Sequence, residues 1–338
     1  MPRFEEFDEA TCERMEHGLI VAACDEFGVQ MLDAELVGHS MNAVYRVTGA
    51  RDGERREYAF RISDPARYST AEIEAECRWI GAINRETCVT SPEPARTSDG
   101  RHVVEIALPG LPIPRRCALF AWLRGEQIDE PQPEHMRRLG AMTAELHNHA
   151  DTYSPAEGIG RSHVDWPRML ARFVRGDLSV TWEGHAAAAA TEDQRQVFMD
   201  AASRLTQAIG EIPVDRDYGL IHADLHLHNV LYQDGEPRPI DFDDCLLASY
   251  MTDLATTLWY FRTDEQYPAL RQACIAGYEA RRDLPADWQR QVSVFTTARY
   301  FSMLDWVLGW PREDHMWSGS QAVSRYAERL RLYLDSPD

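Results

Sequence analysis

Val44 and Arg46 fall on one face of an extended segment and Tyr45 and Val47 on the other. Preceded by Glu35-Leu36-Val37 and the stretch from Gly38 to Asn42, this alternation predicts strand, turn, strand. Tyr58-Ala59-Phe60-Arg61-Ile62 predicts a further strand, and Cys117 to Leu123 an apolar one that runs into Arg124-Gly125. Elsewhere the period lengthens to three and four. Ile73, Cys77, Ile80 and Ile83 or Asn84 form a helical stripe, begun by Ser69 as capping residue with Glu72 in an acidic first turn. Met136, Leu139, Met142 and Leu146, with His147 close behind, read as a core helix. Residues 1–34 predict one or two amphipathic helices, with Leu19, Ala22 and Ala23 on one face and Phe27 following. Helices are expected over 163–210, the Ala186 to Ala190 run among them.

Further on, Gly219-Leu220-Ile221 predicts a strand before a loop, and Asn229 to Gln233 with Arg238 to Phe242 a hairpin about Asp234-Gly235. The last eighty residues are rich in aromatic side chains, including Trp259, Trp288, Trp306, Trp310 and Trp317 among Tyr250, Tyr260, Tyr278 and Tyr300. Most of these rings are read as helix packing, with Trp306, Trp310 and Trp317 as candidate walls of a binding pocket. At 338 residues and 44% hydrophobic content the chain suits one large two-lobed unit or about two domains. No apolar run of membrane-spanning length and no signal-like start occurs, so a membrane partner is not expected. Seven cysteines without a Cys-x-x-Cys pair read as free thiols in a reducing cytoplasm. A net charge of −20 opposes binding to nucleic acid or anionic lipid and favours cationic partners.

Chemistry concentrates between residues 222 and 253. Asp224 stands five residues before Asn229, the apolar Val230-Leu231-Tyr232 follows, and Ile240-Asp241 arrives after the Asp234-Gly235 turn. Magnesium prefers octahedral oxygen coordination and keeps several waters, so a protein offers it one or two ligands beside the phosphates; Asn229 and Asp241 are the candidates. Asp224 is the candidate catalytic residue, accepting the proton of an attacking hydroxyl or orienting it. A rival reading takes His222, Asp224, His226 and His228 as zinc ligands, but such a site needs more ligands downstream, where His315 is the only histidine.

This segment resembles the catalytic loop and metal-binding strand of the aminoglycoside phosphotransferase and choline kinase superfamily. The family's usual His-Gly-Asp, four residues and Asn appears here with Ala223 in place of Gly. Asp-Phe-Asp-Asp from Asp241 is most similar to the branch of stress-response and homoserine-kinase-like proteins. The resemblance covers roughly residues 36–260 and implies a protein-kinase-like α+β fold: a helical extension over 1–34, an antiparallel-sheet N-lobe over 35–122, and a mainly helical C-lobe over 123–338. It implies ATP between the lobes and Mg2+ as cofactors. Gly38, Ser40 and Asn42 then mark the counterpart of the glycine-rich loop. Arg61 takes the place of the phosphate-contacting lysine, and Glu76 that of its helix partner. Phe120, Ala121, Trp122 and Leu123 become the adenine-facing hinge. Of the three glutamates 72, 74 and 76, a solvated acidic face explains at least two. Asp253 of Thr-Asp-Leu-Ala matches a mainly structural family aspartate. The implied acceptor is a small-molecule hydroxyl, plausibly on a cationic amino alcohol or an aminoglycoside-like metabolite. The alternatives are a stress-response serine/threonine protein kinase and a nucleotide-binding pseudokinase, the latter encouraged only by Arg61.

Overall fold

The computed structural model describes residues 9–39, 42–111, 113–179, 190–213, 217–309 and 319–335. In chain order these form α1 (Glu9–Glu26), β1 (Gln30–His39), β2 (Ala43–Arg51), β3 (Glu54–Ser63), α2 (Thr70–Glu86), β4 (Val103–Ile106) and β5 (Arg115–Ala121). Then come α3 (Pro133–Thr152), α4 (Trp166–Val174), α5 (Glu192–Gly210), β6 (Tyr218–Ile221), β7 (Val230–Gln233) and β8 (Glu236–Pro239). The chain ends with β9 (Leu246–Ser249), α6 (Met251–Trp259), α7 (Tyr267–Glu279), α8 (Trp288–Gly309) and α9 (Gly319–Asp335). It divides into two units. One holds the chain up to Glu130 with Asp151–Arg161 and Leu227–Cys245; the other holds Pro131–Ala150, Ser162–His226 and the chain from Leu246.

In the first unit the alternating strands build an antiparallel sheet of order β1-β2-β3-β5-β4. Tyr45, Val47, Tyr58, Phe60, Ile62, Cys117 and Leu119 share a core with Leu19, Ile20, Ala23, Cys24 and Phe27 of α1. The alternation of β2 decides which side chains enter that core. Helix α2 starts as its sequence dictates: the Ser69 side chain accepts from the Glu72 N–H and the Glu72 side chain accepts from Ser69, a complete capping box. Its Ile73, Cys77, Trp79, Ile80 and Ile83 are buried.

The β7–β8 hairpin turns at Asp234 (φ 55°) and Gly235 (φ 79°), the paired positive angles that make Asp-Gly a favoured hairpin turn. Its limits differ from the sequence expectation. Asn229 sits in a 3-10 turn, Leu227–Asn229, ahead of β7, and β8 covers Glu236–Pro239 rather than Arg238–Phe242. Asp241 adopts φ 61°, which no extended strand accommodates, so the ladder stops before it. Tyr232 and Glu126 exchange both backbone hydrogen bonds, at 2.8 and 2.9 Å, tying the hairpin to the chain after β5. Gly125 permits this approach, since a Cβ there would lie 2.8 Å from that of Leu231.

The second unit is helical, with one antiparallel β6–β9 ribbon. Helix α6 packs on α8, α4 on α5, and α9 on both α5 and α8. Phe173, Phe198 and Phe301 meet at the α4, α5 and α8 junction with ring centroids 5.0 to 6.4 Å apart. Met136, Leu139, Met142 and Leu146 of α3 are buried, as their spacing predicts. No helix among the described residues is long and apolar enough to cross a membrane. Of the Ala186 to Ala190 run only Ala190 is among the described residues, and it precedes α5.

Helices α3 and α7 cross backbone to backbone. A Cβ on Gly140 would meet the Cys274 carbonyl oxygen at 1.9 Å, and one on Gly277 would meet that of Arg137 at 1.8 Å. Gly140→Ala is expected to cost about 3 kcal/mol by forcing the helices apart, read as a lower denaturant midpoint with unchanged slope; an unshifted midpoint would mean the crossing is looser than described.

Candidate functional site

In the second unit the loop after β6 is held by α6 from beneath. Asp253, fully buried, accepts the backbone N–H of His222 at 3.0 Å and of Ala223 at 2.8 Å. Its Oδ2 also lies 3.2 Å from Nε2 of buried His147, whose Nδ1 is 2.8 Å from the Tyr278 hydroxyl. One turn further along α6, Thr257 donates to the Leu225 carbonyl at 2.6 Å. Positions 253 and 257 share a helix face, so both can grip the same loop. Ala223 is held at φ 69°, a left-handed conformation that glycine adopts without steric cost. That angle explains why Gly is the commoner residue at this place in the resembling family.

Asp224, next in the chain, receives a hydrogen bond from Arg299 Nη2 on one oxygen and lies 3.3 Å from His226 Nε2 on the other. The same Nη2 points at the Tyr260 hydroxyl, 3.4 Å away, and the His226 ring packs 4.8 Å from that of Tyr260. Burial pushes the Asp224 carboxyl upward, but Arg299 and His226 outweigh it and hold the group well below the usual carboxylate range. Asp224 is therefore an ionised, oriented acceptor at neutral pH, suited to positioning a hydroxyl more than to storing its proton.

In the first unit Arg61 of β3 and Glu76 of α2 form a two-pronged pair, Nη1 to Oε1 at 2.8 Å and Nη2 to Oε2 at 2.6 Å, with side chains 7% and 1% exposed. Burial would lower the guanidinium pKa; Glu76 more than reverses this, so the guanidinium stays charged. Phe120 stacks beneath, its ring centroid 5.3 Å from the guanidinium carbon. The neighbouring glutamates also have defined partners, against the expectation of a solvated acidic face. Glu72 caps α2, and Glu74 accepts the backbone N–H groups of His102 and Val103 at 2.8 and 2.9 Å.

Gly38 lies exposed in β1 opposite Val44, and Ser40 is outside the described residues. Asn42 is buried and its amide donates to Asp243 at 2.8 Å. The N–H groups of Ala121 and Trp122 donate to the carbonyls of Glu93 (2.8 Å) and Glu57 (3.1 Å). An adenine facing Phe120 to Leu123 would have to use other backbone groups of that stretch. Trp310 and Trp317 are also outside the described residues, and Trp306 is half-buried on α8.

Asn229 and Asp241 belong to this unit too. The Asn229 carbonyl accepts the Ile240 N–H at 2.9 Å, which places Asp241 one residue from the contact. Around them the chain crowds carboxylates. Asp243 is pushed well above the usual range by burial and by Asp241 and Asp244, against the pull of Arg67 and Arg61. Arg67 and Tyr68 bind the Asp244 carboxylate, and Arg161 donates to the carbonyls of Asp243 and Cys245. Asn229 and Asp241 are hard oxygen donors of the kind a magnesium-like divalent cation takes, and they are the residues that could hold one. No group of three or more His, Cys, Asp or Glu suited to a metal occurs among the described residues.

Sequence reasoning missed Arg299, Arg67 and Arg161. Arg299 lies 75 positions from Asp224 with no local pattern to announce it. Asp243 and Asp244 stood in the quoted acidic string, and their doubling was the available signal.

An antiparallel sheet bearing a buried basic–acidic pair, and a helical unit whose loop presents an aspartate, define the protein-kinase-like class of fold. Solved structures agree. The microcompartment-associated aminopropanol kinase superposes with TM-score 0.77 at 26% identity, over 95% of this chain and 97% of that one. Amicoumacin kinase, in complex with AMP-PNP, Ca2+ and Ami, gives 0.76 at 18% identity over 97% and 94%. The profile of the phosphotransferase enzyme family (APH) matches residues 34–290, and the chain belongs to that family. Among curated relatives, homoserine kinase of Methylobacterium radiotolerans is 32% identical over 203 residues, 58% of this chain and 56% of that protein. The match thus spans little more than half of that relative's length. Homoserine kinase of Neisseria meningitidis is 28% identical over 276 residues, 78% of this chain and 82% of its own.

The Arg61–Glu76 pair should behave as a unit. Arg61→Met is expected to destabilise the protein by about 3–5 kcal/mol by leaving Glu76 buried and uncompensated, whereas Arg61→Met with Glu76→Leu recovers most of the loss. Denaturant unfolding of the three proteins checks this, and additive losses would disprove the coupling.

Proposed function

We propose that the chain is a kinase transferring the γ-phosphoryl group of ATP to the hydroxyl of a small amino alcohol. The single observation that carries this is Asp224: ionised, bound by Arg299 and His226, and set on a loop pinned by Asp253. The acceptor hydroxyl oxygen forms a bond to the γ-phosphorus while the bond from phosphorus to the bridging β,γ-oxygen breaks. ADP leaves with that electron pair, and the hydroxyl proton passes to the Asp224 carboxylate on its way to solvent. A divalent cation such as magnesium, held by Asn229 and Asp241, would neutralise charge on the phosphates when bound. On this reading Arg61, kept in place by Glu76, serves the phosphates as the kinase lysine does, with Gly38, Ser40 and Asn42 lining the turn above them. Phe120 to Leu123 would border the adenine.

The relatives' names support a small acceptor. Homoserine and aminopropanol are both short amino alcohols, and they differ in that homoserine carries a carboxylate. The formed Arg61–Glu76 pair supports the kinase reading over the pseudokinase one.

Asp224→Asn is expected to lower turnover at least about a hundredfold with the circular dichroism spectrum unchanged; a loss under threefold would remove Asp224 from the chemistry. Asp241→Ala should abolish the dependence of nucleotide binding on divalent metal, measured by calorimetry with and without Mg2+. Retained metal dependence would take Asp241 out of the cation site.

A further inference from the structure

Asp224 is paired with a guanidinium whose hydrogen-bond donors are not all used. Arg299 is 16% exposed and uses Nη2 alone, for Asp224 and the Tyr260 hydroxyl. Its Nε is enclosed without a hydrogen-bond partner, and Nη1 makes no hydrogen bond among the described residues. Behind Tyr260 stands an aromatic wall. The Trp259 ring lies 5.1 Å from Tyr260, 5.6 Å from Tyr300 and 6.3 Å from Tyr326.

That wall already holds a cation. The Arg262 guanidinium lies 3.7 Å from the Trp259 ring centroid and 4.6 Å from that of Tyr300, and it donates to the Tyr300 hydroxyl and the Trp259 carbonyl. Among the described residues no carboxylate bonds Arg262. Arg329 adds like charge to it, and Arg325 lies within electrostatic reach of Tyr326. An acceptor's ammonium group placed there would meet ring faces already occupied and arginines on either side. An acceptor's carboxylate would meet unused guanidinium donors.

We propose that Arg299 is a specificity-determining residue that binds a carboxylate on the acceptor while Asp224 engages its hydroxyl, so that the substrate is a hydroxy-amino acid and not its decarboxylated amine. This rests on the kinase reading above and narrows its acceptor. Arg299 spans both tasks because one terminal nitrogen serves Asp224 and the remaining donors are unspent. The opposing outcome, an arginine that only neutralises Asp224, gives no preference for a carboxylate.

The test compares matched pairs that differ by that one group: homoserine with 3-aminopropan-1-ol, threonine with 1-aminopropan-2-ol, and serine with ethanolamine. Purified full-length chain is assayed with magnesium and ATP for kcat/KM on each. The wild type should favour the carboxylate member of its best pair by at least about 30-fold, the size of one charge-assisted contact. Arg299→Gln should collapse that ratio to within about threefold, chiefly through KM, while Arg299→Lys retains part of it. Any loss common to both members reflects disturbance of Asp224 and cancels in the ratio. A wild type that prefers the amines, or a ratio that survives Arg299→Gln, overturns the proposal and leaves the kinase reading standing. ADP production stimulated by none of the six alcohols overturns both. If Arg299→Gln does not fold, the wild-type ratio alone decides.

Discussion

A buried side chain beneath a loop, that of Asp253, is the constraint on which the rest of the candidate site depends. Asp253 has no exposed surface, and its oxygens are filled by the His222 and Ala223 N–H groups and by His147, the partners that a buried polar group needs. The relation runs both ways: the loop's donors would be orphaned without it, and unsatisfied buried donors are costly. Ala223 can therefore stay in a left-handed conformation that costs an alanine about 1 kcal/mol or more. From that bend Asp224 emerges toward Arg299. The direction of the Asp224 side chain is thus set by α6, some thirty residues later in the chain.

What could be read from the sequence follows a physical division. Interactions closed within a few residues announce themselves, as Ser69 with Glu72 in the capping box and Asp234-Gly235 in the hairpin turn do. Periodicity likewise revealed the core faces of β2, α2 and α3. The pairing of Arg61 with Glu76 came from family resemblance, because three glutamates at alternate positions are indistinguishable by spacing. Only the folded surroundings sort them into a cap, a ligand for the start of β4 and a salt-bridge partner. The end of β8 at Pro239 was illegible for a related reason: the backbone angle of Asp241 answers to the acidic loop around it and not to its own β propensity. Arg299 belongs to α8, where its neighbours give no sign of an aspartate 75 positions away.

The contrast between global and local charge completes the picture. The chain carries −20 overall, from which a cationic acceptor was the natural expectation. Yet Asp224 is paired with Arg299, and Asp241 stands beside Asp243 and Asp244. Screening reconciles these facts. At physiological salt, charges separated by more than about 8 Å on the surface scarcely act on one another, so distributed acidic residues contribute solubility and little selection. A largely buried guanidinium at hydrogen-bond distance from Asp224 acts at lower effective dielectric. Net charge therefore bears on contact with extended charged surfaces, while a small molecule would respond to the few side chains it touches. The same reasoning separates the two acidic regions by environment: Asp241 stands beside Asp243 and Asp244, whereas Asp224 is paired with Arg299.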